Sequence, residues 1–334
     1  MQRIGGAMHQ SWDSKIHDAS RRIGTFLPKT PVLVSVGLGA RFGACVELKL
    51  ENHQVTGSFK ARGAMNKMLM VSETERTKGI ITASSGNHGA AVAYSAKLLG
   101  CDATVYVPEY AAEVKKSAIQ ELGALVVVAG ADCVETEQIA RKMASEQGLT
   151  YVPPYNDVDV LLGQGTVATE WLEQTRPLDA VFVAVGGGGL IGGIGTYFKE
   201  RTPECRVIAC SPERSPALHH CMEQGKVVDV PCLDTLSDAT AGGVEPGAIT
   251  VEICSRVVDQ SLLVSEEQIA YWMRWMWSEH QMAIEGAAAV ALAGLEQCAD
   301  WIRGKRVGVV ICGGNVGDDV RARLFNGSSF MTGE

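Results

Sequence analysis

The feature that most restricts how this chain can fold is the alternation of short apolar runs with segments of helical periodicity. Apolar runs occur at 46–50, 80–83, 103–107, 125–128, 181–185, 207–210 and 307–311. Helices are predicted between them, among others at 11–24, 111–122, 133–147 and 284–295. Strands that alternate with helices form parallel sheets, and the helices cover both faces. The sequence therefore predicts an α/β protein with an open parallel sheet.

Three loops that follow predicted strands are rich in small or polar residues. They lie at 57–63, 84–89 and 186–189, each just before a predicted helix. Backbone N–H groups and the helix dipole converge on such loops, which favours anion binding. The four glycines at 186–189 let the backbone approach phosphate oxygens, although they are also typical of a packing turn. The polar groups of 84–89 suit a carboxylate, or simply cap the helix.

Lys60 lies in the first of these loops, at the start of a predicted helix. We expect Ser58 to be the N-cap of this helix, with Lys60 in its first turn. The positive end of the helix dipole disfavours a cation there, which suits a neutral amine nucleophile. A single lysine is otherwise a solvated surface residue. A lysine, a phosphate loop and a carboxylate loop together indicate pyridoxal 5′-phosphate, whose aldehyde reacts with amines.

Composition narrows the class of protein further. The 334 residues are 46% hydrophobic and 20% charged, with a net charge of −8, which is ordinary for a globular protein. The negative charge and the lack of a basic run argue against nucleic-acid binding. No apolar run is long enough to cross a membrane. The ten cysteines lack CxxC spacing, a pattern typical of reduced thiols in a cytoplasmic protein rather than of disulfides or a zinc site.

Several motifs in a fixed order carry a family resemblance. They are Lys-Leu-Glu-Asn at 49–52, Gly-Ser-Phe-Lys-Ala-Arg-Gly at 57–63, Ser-Ser-Gly-Asn-His-Gly at 84–89, Gly-Gln-Gly-Thr at 163–166, the glycines at 186–189 and Cys-Gly-Gly-Asn at 312–315. On these motifs the chain resembles the fold-type II pyridoxal-phosphate enzymes of the threonine/serine dehydratase and serine racemase family. The resemblance covers nearly the whole chain, from about Ile16 to Asn315.

The resemblance implies a two-lobed, tryptophan synthase β-like fold with the cofactor in the cleft between the lobes. The large lobe is expected to comprise 1–51 and 151–334, and the small lobe 52–150, without a C-terminal regulatory domain. It also implies a homodimer. The aromatic stripe of Trp272, Trp275 and Met276 is then either a subunit contact or a core-facing side of a helix.

The resemblance also implies a role for each candidate site residue. Lys60 binds the cofactor covalently and acts as the catalytic base, and Ser85 is a second acid/base on the opposite face. The remaining cofactor-binding residues are Phe59, Asn87, Gly186, Gly187, Gly188, Gly189, Leu190, Glu285 and Cys312. Ser84, Ser85 and His88 face the substrate carboxylate, and Tyr155 shapes the substrate pocket or packs between the lobes. Glu285 lies near the cofactor ring, or only caps its helix.

Cys312 and the segment 211–217 depart from the family pattern. Cys312 stands where many members have serine facing the pyridine nitrogen, and a neutral thiol is a weak donor there. It favours elimination over racemisation, unless it is only a small buried residue. The segment 211–217 offers one carboxylate, Glu213, beside Arg214 and two prolines, so we expect no divalent ion there. Arg214 is expected to pair with Glu213 or a neighbouring acid. A monovalent ion held by backbone carbonyls is an alternative that the sequence allows.

These observations predict a dehydratase that converts a 3-hydroxy amino acid such as L-threonine or L-serine into a 2-oxo acid and ammonia. The alternatives within the fold are a serine racemase and a dehydratase of a bulkier 3-hydroxy amino acid or a hydroxyectoine-derived compound. A remote alternative is a nicotinamide dehydrogenase built on Gly187, Gly189 and Gly192. This alternative is disfavoured because the chain has no acidic residue at the end of the next predicted strand, where one would bind the ribose. A non-catalytic binding protein would leave Lys60 without a role.

Overall fold

The structure, a computed structural model, describes residues 11–325. Its α-helices are α1 (Trp12–Ile23), α2 (Val36–Phe42), α3 (Lys60–Met70), α4 (Glu73–Arg76), α5 (Asn87–Leu99), α6 (Glu113–Glu121), α7 (Cys133–Gln147), α8 (Val158–Gln174), α9 (Gly189–Arg201), α10 (Ala217–Gln224), α11 (Ile249–Val257), α12 (Glu266–His280), α13 (Gly286–Gln297), α14 (Ala299–Ile302) and α15 (Asp318–Phe325). Its strands are β1 (Val32–Val34), β2 (Cys45–Leu50), β3 (Ile80–Ala83), β4 (Ala103–Val107), β5 (Leu125–Val128), β6 (Thr150–Tyr151), β7 (Ala180–Ala184), β8 (Arg206–Pro212), β9 (Gln260–Val264) and β10 (Arg306–Ile311). Two short 3₁₀ helices cover Glu51–His53 and Asp238–Thr240.

The strands form two separate sheets. The larger has the order β1-β2-β10-β7-β8-β9, and the smaller has the order β5-β4-β3-β6. All neighbours pair in parallel except β1 with β2. The predicted α/β class with parallel sheets is therefore confirmed, with one antiparallel edge strand. The lobe boundaries stay a prediction. The predicted boundary between residues 150 and 151 falls within β6.

The core of the larger sheet explains its parallel topology. All five residues of β7 are buried, and so are the first ten residues of α13, a helix that is apolar on every side. Most of α8 is also buried. Strands that are covered by helices on both faces must be apolar on both faces, which explains the continuous runs of valine and isoleucine.

Glycines and a capping box end or begin several helices. Gly100 and Gly148 end α5 and α7 in the left-handed conformation that favours glycine. Ser265 and Gln268 form a capping box at the start of α12. The prediction that Ser58 is the N-cap of α3 is wrong, because the N-cap is Phe59. Ser58 instead pairs through its backbone with Gly313, and its buried hydroxyl has no hydrogen-bond partner among the described residues.

The aromatic stripe of α12 belongs to the core. Trp272 and Met276 are fully buried, and Trp275 packs against the same cluster while partly exposed. The stripe therefore does not itself indicate a subunit contact. All ten cysteines are free thiols. Within residues 11–325, every helix is too short or too polar to traverse a lipid bilayer.

Candidate active site

A cavity of about 700 Å³ lies between the two sheets, where strand ends meet helix N-termini. Every residue predicted to bind the cofactor or the substrate contributes to its wall. These are Phe59, Lys60, Ser84, Ser85, Asn87, His88, Tyr155, Gly186, Gly187, Gly188, Gly189, Leu190, Glu285 and Cys312. The structure thus brings together side chains that are more than 200 positions apart in the sequence, and the roles assigned to them stay predictions.

Lys60 is the first residue of α3 and reaches into the cavity. Its Nζ donates a hydrogen bond to the backbone carbonyl of Pro154, 2.9 Å away. Desolvation lowers the pKa of Lys60 to about 8, against the opposing influence of Glu285 and Cys312. A primary amine with this pKa is partly neutral near pH 7 and is therefore available as a nucleophile or base.

The position of Lys60 is fixed by a buried ion cluster two residues further along α3. Arg62 donates from Nε to Glu51 and from Nη1 to Glu170, both at 2.7 Å. Arg62 and Glu51 are fully buried, and Glu170 nearly so. Charges that leave water retain little freedom once they are paired in this way. The cluster joins the start of α3 to α8 and holds Lys60 in place.

The glycine loop connects β7 to α9. Gly188 is the N-cap of α9 and has a φ of +88°, a conformation that favours glycine. A Cβ atom on Gly187 would lie 2.4 Å from the ring of Tyr155, and one on Gly186 would lie 2.9 Å from Cα of Thr240. Side chains at these two positions are therefore excluded by close neighbours. The loop presents backbone N–H groups at a helix N-terminus, which is the arrangement that binds phosphate.

The loop at 84–87 leads from β3 into α5. The N-cap Gly86 has no side chain, and its N–H donates to Oγ of Ser84 at 3.2 Å. His88 is buried, and its Nε2 lies 3.0 Å from the carbonyl of Val152. Burial, helped by the charge of Lys60, lowers the pKa of His88 to about 3. His88 is thus a neutral side chain with one nitrogen already bonded, while Ser84 and Ser85 border the cavity.

Four side chains form a hydrogen-bonded chain across one wall. Nδ2 of Asn87 donates to both carboxylate oxygens of Glu285, and Nδ2 of Asn315 donates to Oδ1 of Asn87 at 2.7 Å. The thiol of Cys312 lies 3.7 Å from Oε1 of Glu285. Burial is the main cause that raises the pKa of Glu285 to about 7. Burial also raises the pKa of the Cys312 thiol well above 9, so this thiol is neutral.

Glu285 does not cap α13 through its side chain, although it occupies the N-cap position. Its carboxylate points instead to Asn87 and Cys312. Gly313 leaves room for it, because a Cβ there would lie 2.3 Å from Oε1 of Glu285. Of the two interpretations of Glu285, the structure favours the one that places it in the site.

Tyr155 packs against the glycine loop and borders the cavity. Its hydroxyl accepts a hydrogen bond from the backbone N–H of Glu245 at 2.8 Å, and its ring covers Gly187. Asn315, Thr240 and the carbonyl of Pro154 were not predicted to belong to the site. Only Asn315 carried a sequence signal, since it ends the motif at 312–315.

The pyridoxal-phosphate dependent enzyme family model matches residues 23–313, so the chain belongs to this family. The chain is 38% identical to the L-threo-3-hydroxyaspartate ammonia-lyase of Saccharomyces cerevisiae over 310 residues, 93% of this chain and 95% of that protein. It is 36% identical to the L-threonine ammonia-lyase of Thermotoga maritima, over 93% of this chain and 77% of that protein. The crystal structure of serine racemase from Dictyostelium discoideum superposes with a TM-score of 0.85 at 34% identity, covering 92% of this chain and 99% of that one.

The cavity fits the cofactor of this family, pyridoxal 5′-phosphate. The desolvated amine of Lys60 suits an aldehyde, and the glycine loop, which side chains cannot enter, suits a phosphate. The wall formed by Asn87, Glu285 and Cys312 offers polar atoms to a heteroaromatic ring. The family match sets aside the nicotinamide alternative.

Proposed function

We propose that the chain is a pyridoxal-phosphate dependent ammonia-lyase that converts a 3-hydroxy amino acid into a 2-oxo acid and ammonia. The observation that carries this proposal is the convergence of three groups on one cavity. These are the amine of Lys60, the hydroxyl-bearing loop of Ser84 and Ser85, and the glycine loop. Relatives named as ammonia-lyases, 36–38% identical over nine-tenths of the chain, support it.

Lys60 is the proposed catalytic base. Pyridoxal 5′-phosphate supplies, when bound, an electron sink for the electrons of the substrate Cα–H bond. The amine of Lys60, whose pKa desolvation lowers to about 8, takes the proton from Cα. The proton then resides on Nζ and passes to the departing hydroxyl group, so that water leaves. The released enamine gains a proton at Cβ and becomes an imine, and hydrolysis of its C=N bond gives the 2-oxo acid and ammonia.

The other cavity residues bind and orient. We propose that Ser84, Ser85 and the N-terminus of α5 hold the substrate carboxylate, since they line the cavity and hydroxyls and helix N–H groups suit an anion. Asn87, held from both sides, orients the cofactor ring. Cys312 presents a neutral thiol, which stabilises negative charge on the substrate only weakly. Weak stabilisation favours prompt loss of the leaving group, and thus elimination over racemisation.

The charges around the cavity support a substrate with a neutral side chain. The lining residues include the acids Glu121, Glu137, Asp238 and Glu285 but, as cations, only Lys60 and Lys115. Nζ of Lys115 lies 3.3 Å from Asp238 and is already paired. A second substrate carboxylate would therefore meet no unpaired cation on this described wall except Lys60. L-Threonine and L-serine are the proposed substrates.

A second candidate is L-threo-3-hydroxyaspartate, favoured by the 38% identity to the yeast enzyme of that name. It requires Lys115 to leave Asp238 and to bind the distal carboxylate. The two candidates differ in what Lys115 does. For threonine the Lys115→Ala variant should retain kcat/KM, whereas for hydroxyaspartate it should lose roughly tenfold or more, the typical cost of a charged hydrogen bond.

The test is a comparison of 2-oxo acid and ammonia release from L-threonine, L-serine and L-threo-3-hydroxyaspartate. We expect the highest kcat/KM for threonine or serine, and no turnover by Lys60→Ala. A preference for hydroxyaspartate that depends on Lys115 would replace the first candidate with the second. Formation of D-serine in excess of pyruvate would favour a racemase instead, with Ser85 as its second acid/base. The absence of 2-oxo acid from all three substrates would overturn the proposal.

We also propose that the enzyme is a cytoplasmic homodimer. Ten unpaired cysteines suit a reducing compartment. The dimer rests on the resemblance alone, because the Trp272 stripe lies in the core. Light scattering at working concentration tests it, and a mass near the 35.6 kDa of one chain would contradict it.

A further inference from the structure

A cluster of metal-ligating side chains lies on α10, away from the cavity. His219, His220 and Glu223 each offer one ligand atom, and the three atoms lie within 4.8 Å of one another. His219 and Glu223 are four positions apart and His220 and Glu223 are three apart, so both histidines reach the same carboxylate along the helix. None of the three residues lines the cavity described above.

The distances between the ligand atoms are compatible with a shared metal ion. Nε2 of His219 lies 3.6 Å from Oε1 of Glu223, which is too long for a hydrogen bond. Nδ1 of His220 lies 3.0 Å from Oε2, within hydrogen-bond distance, and an ion would replace this bond. Two ligands about 2.0–2.1 Å from a tetrahedral zinc ion are ~3.3 Å apart. The two histidine–carboxylate distances lie on either side of this value, and all three ligand atoms lie within 4.8 Å of one another.

His219 also has the outer hydrogen bond that metal-binding histidines usually make. Its Nδ1 lies 2.7 Å from Oγ of Ser261 on β9. Such a bond fixes the ring and leaves Nε2 as the free ligand atom. The side chain of His219 is only 13% exposed, which limits the positions that its ring can take.

We propose that His219, His220 and Glu223 form a binding site for a borderline transition-metal ion, with Zn²⁺ as the reference ion. Two imidazoles and one carboxylate suit Zn²⁺, Ni²⁺, Co²⁺ or Cu²⁺, whereas Mg²⁺ and Ca²⁺ prefer oxygen ligands. His220 and Glu223 are about half exposed, so water completes the coordination. The segment 211–217, discussed for divalent ions above, contributes no ligand to this site.

We expect the metal ion to stabilise the fold rather than to take part in catalysis, because α10 packs on the glycine loop. Leu218, next to His219, packs so closely on the glycine loop that a Cβ on Gly188 would lie 2.7 Å from its Cδ2. An ion that ties one turn of α10 together on its outer side stabilises the helix that supports Gly188. Metal binding should therefore raise the melting temperature of the enzyme, whatever its substrate is.

The test is a Zn²⁺ titration of the holoenzyme in competition with a chromophoric chelator. We expect one equivalent of Zn²⁺ to bind, and His219→Ala and Glu223→Gln each to weaken binding at least tenfold. Ser261→Ala, which keeps all three ligands, should weaken it by about 10–100-fold. His53→Ala removes an exposed histidine elsewhere in the chain and serves as the matched control, with unchanged affinity.

Circular dichroism of each variant shows whether it is folded, and the conservative Glu223→Gln keeps the helix intact. The rise in melting temperature with Zn²⁺ should disappear in Glu223→Gln and persist in His53→Ala. Failure of the wild-type holoenzyme to bind Zn²⁺ more tightly than Glu223→Gln would overturn the proposal. One equivalent that binds with unchanged affinity in both ligand variants would place the ion elsewhere and would overturn it equally.

Discussion

Asn87 donates to both carboxylate oxygens of Glu285, at 3.2 and 2.9 Å, across 198 positions of sequence. On its other side Asn87 accepts a hydrogen bond from Asn315. Its amide is therefore held at both ends, one end by a buried acid. The acid itself is close to its titration midpoint at neutral pH, because burial raises the pKa of Glu285 to about 7. The protonation of Glu285 is thus coupled to the wall that orients the cofactor.

The first prediction concerns stability and pH. Folded Glu285 keeps its proton up to about pH 7, whereas an unfolded glutamate loses it near 4.5. The stability that this proton contributes is fully present below pH 4.5 and is lost as pH rises through 7. Between pH 4.5 and 7.5 the wild-type apoenzyme should lose up to about 3 kcal/mol of unfolding free energy relative to Glu285→Gln. Urea denaturation of both proteins measures this difference, and parallel pH profiles would contradict it.

The second prediction concerns Lys60 in the apoenzyme. Its pKa of about 8 lies below the ordinary 10.5, because burial disfavours the ammonium. Only the neutral amine attacks an aldehyde. Covalent attachment of added pyridoxal phosphate should therefore accelerate with rising pH, by roughly tenfold per pH unit below 8, and level off above it.

Stopped-flow absorbance, with borohydride trapping of the adduct, follows this reaction. Lys60→Ala is the control and should form no trapped adduct, although the phosphate still binds in the glycine loop. A rate that stays constant between pH 6 and 9 would show that the amine is not protonated in this range. A trapped adduct on another lysine would remove Lys60 from its assigned role.

The fold was largely predictable because its central elements carry strong local patterns. β5 and α7 have the predicted bounds, and β7 and β10 differ from prediction by about one residue. The short or mixed elements α2, β1, β6 and β9 were not predicted. β6 has two residues and exists because β3 offers a free edge, and β9 is an outer strand of intermediate burial. Pairing partners, rather than local pattern, decide such strands.

The site was predictable wherever one loop carries a whole function. Lys60 and the glycine loop could be predicted from short segments of sequence, because neighbouring residues determine where a helix starts and where a glycine loop forms. The link between Glu285 and Asn87, by contrast, depends on how two distant elements pack, and no spacing along the chain announces it. The proposed metal site on α10 was not predicted, although its ligands are close in sequence. Whether the ligand atoms meet depends on side-chain conformation and on the contact with Ser261 of β9.

The third prediction concerns the contact between Gly187 and Tyr155. Gly187→Ala should raise the dissociation constant of the cofactor at least tenfold. The added methyl group would lie 2.4 Å from the ring and must displace either the loop or Tyr155. Overpacking of this kind costs about 1–3 kcal/mol. Fluorescence titration of the apoenzyme with pyridoxal phosphate measures the change.

Two further variants separate the clash from a general effect of alanine. Gly243→Ala is the matched control and should keep the wild-type affinity, since a Cβ there meets nothing within 4 Å. Tyr155→Ala combined with Gly187→Ala removes the ring and should restore part of the lost affinity. An equal loss in the single and double variants would show that the clash with Tyr155 is not the cause.

The fourth prediction is that catalysis does not require Mg²⁺ or Ca²⁺ at 211–217. Glu213 is the only carboxylate of this segment, and these ions want about six oxygen ligands. Within the described residues, Nε of Arg214 donates to the backbone carbonyl of Asp234 at 2.5 Å rather than to the expected acid. Even so, the guanidinium ties the segment to a neighbouring loop. Activity should survive dialysis against EDTA and should not rise when Mg²⁺ or Ca²⁺ is added, whereas a loss that either ion restores would contradict this interpretation.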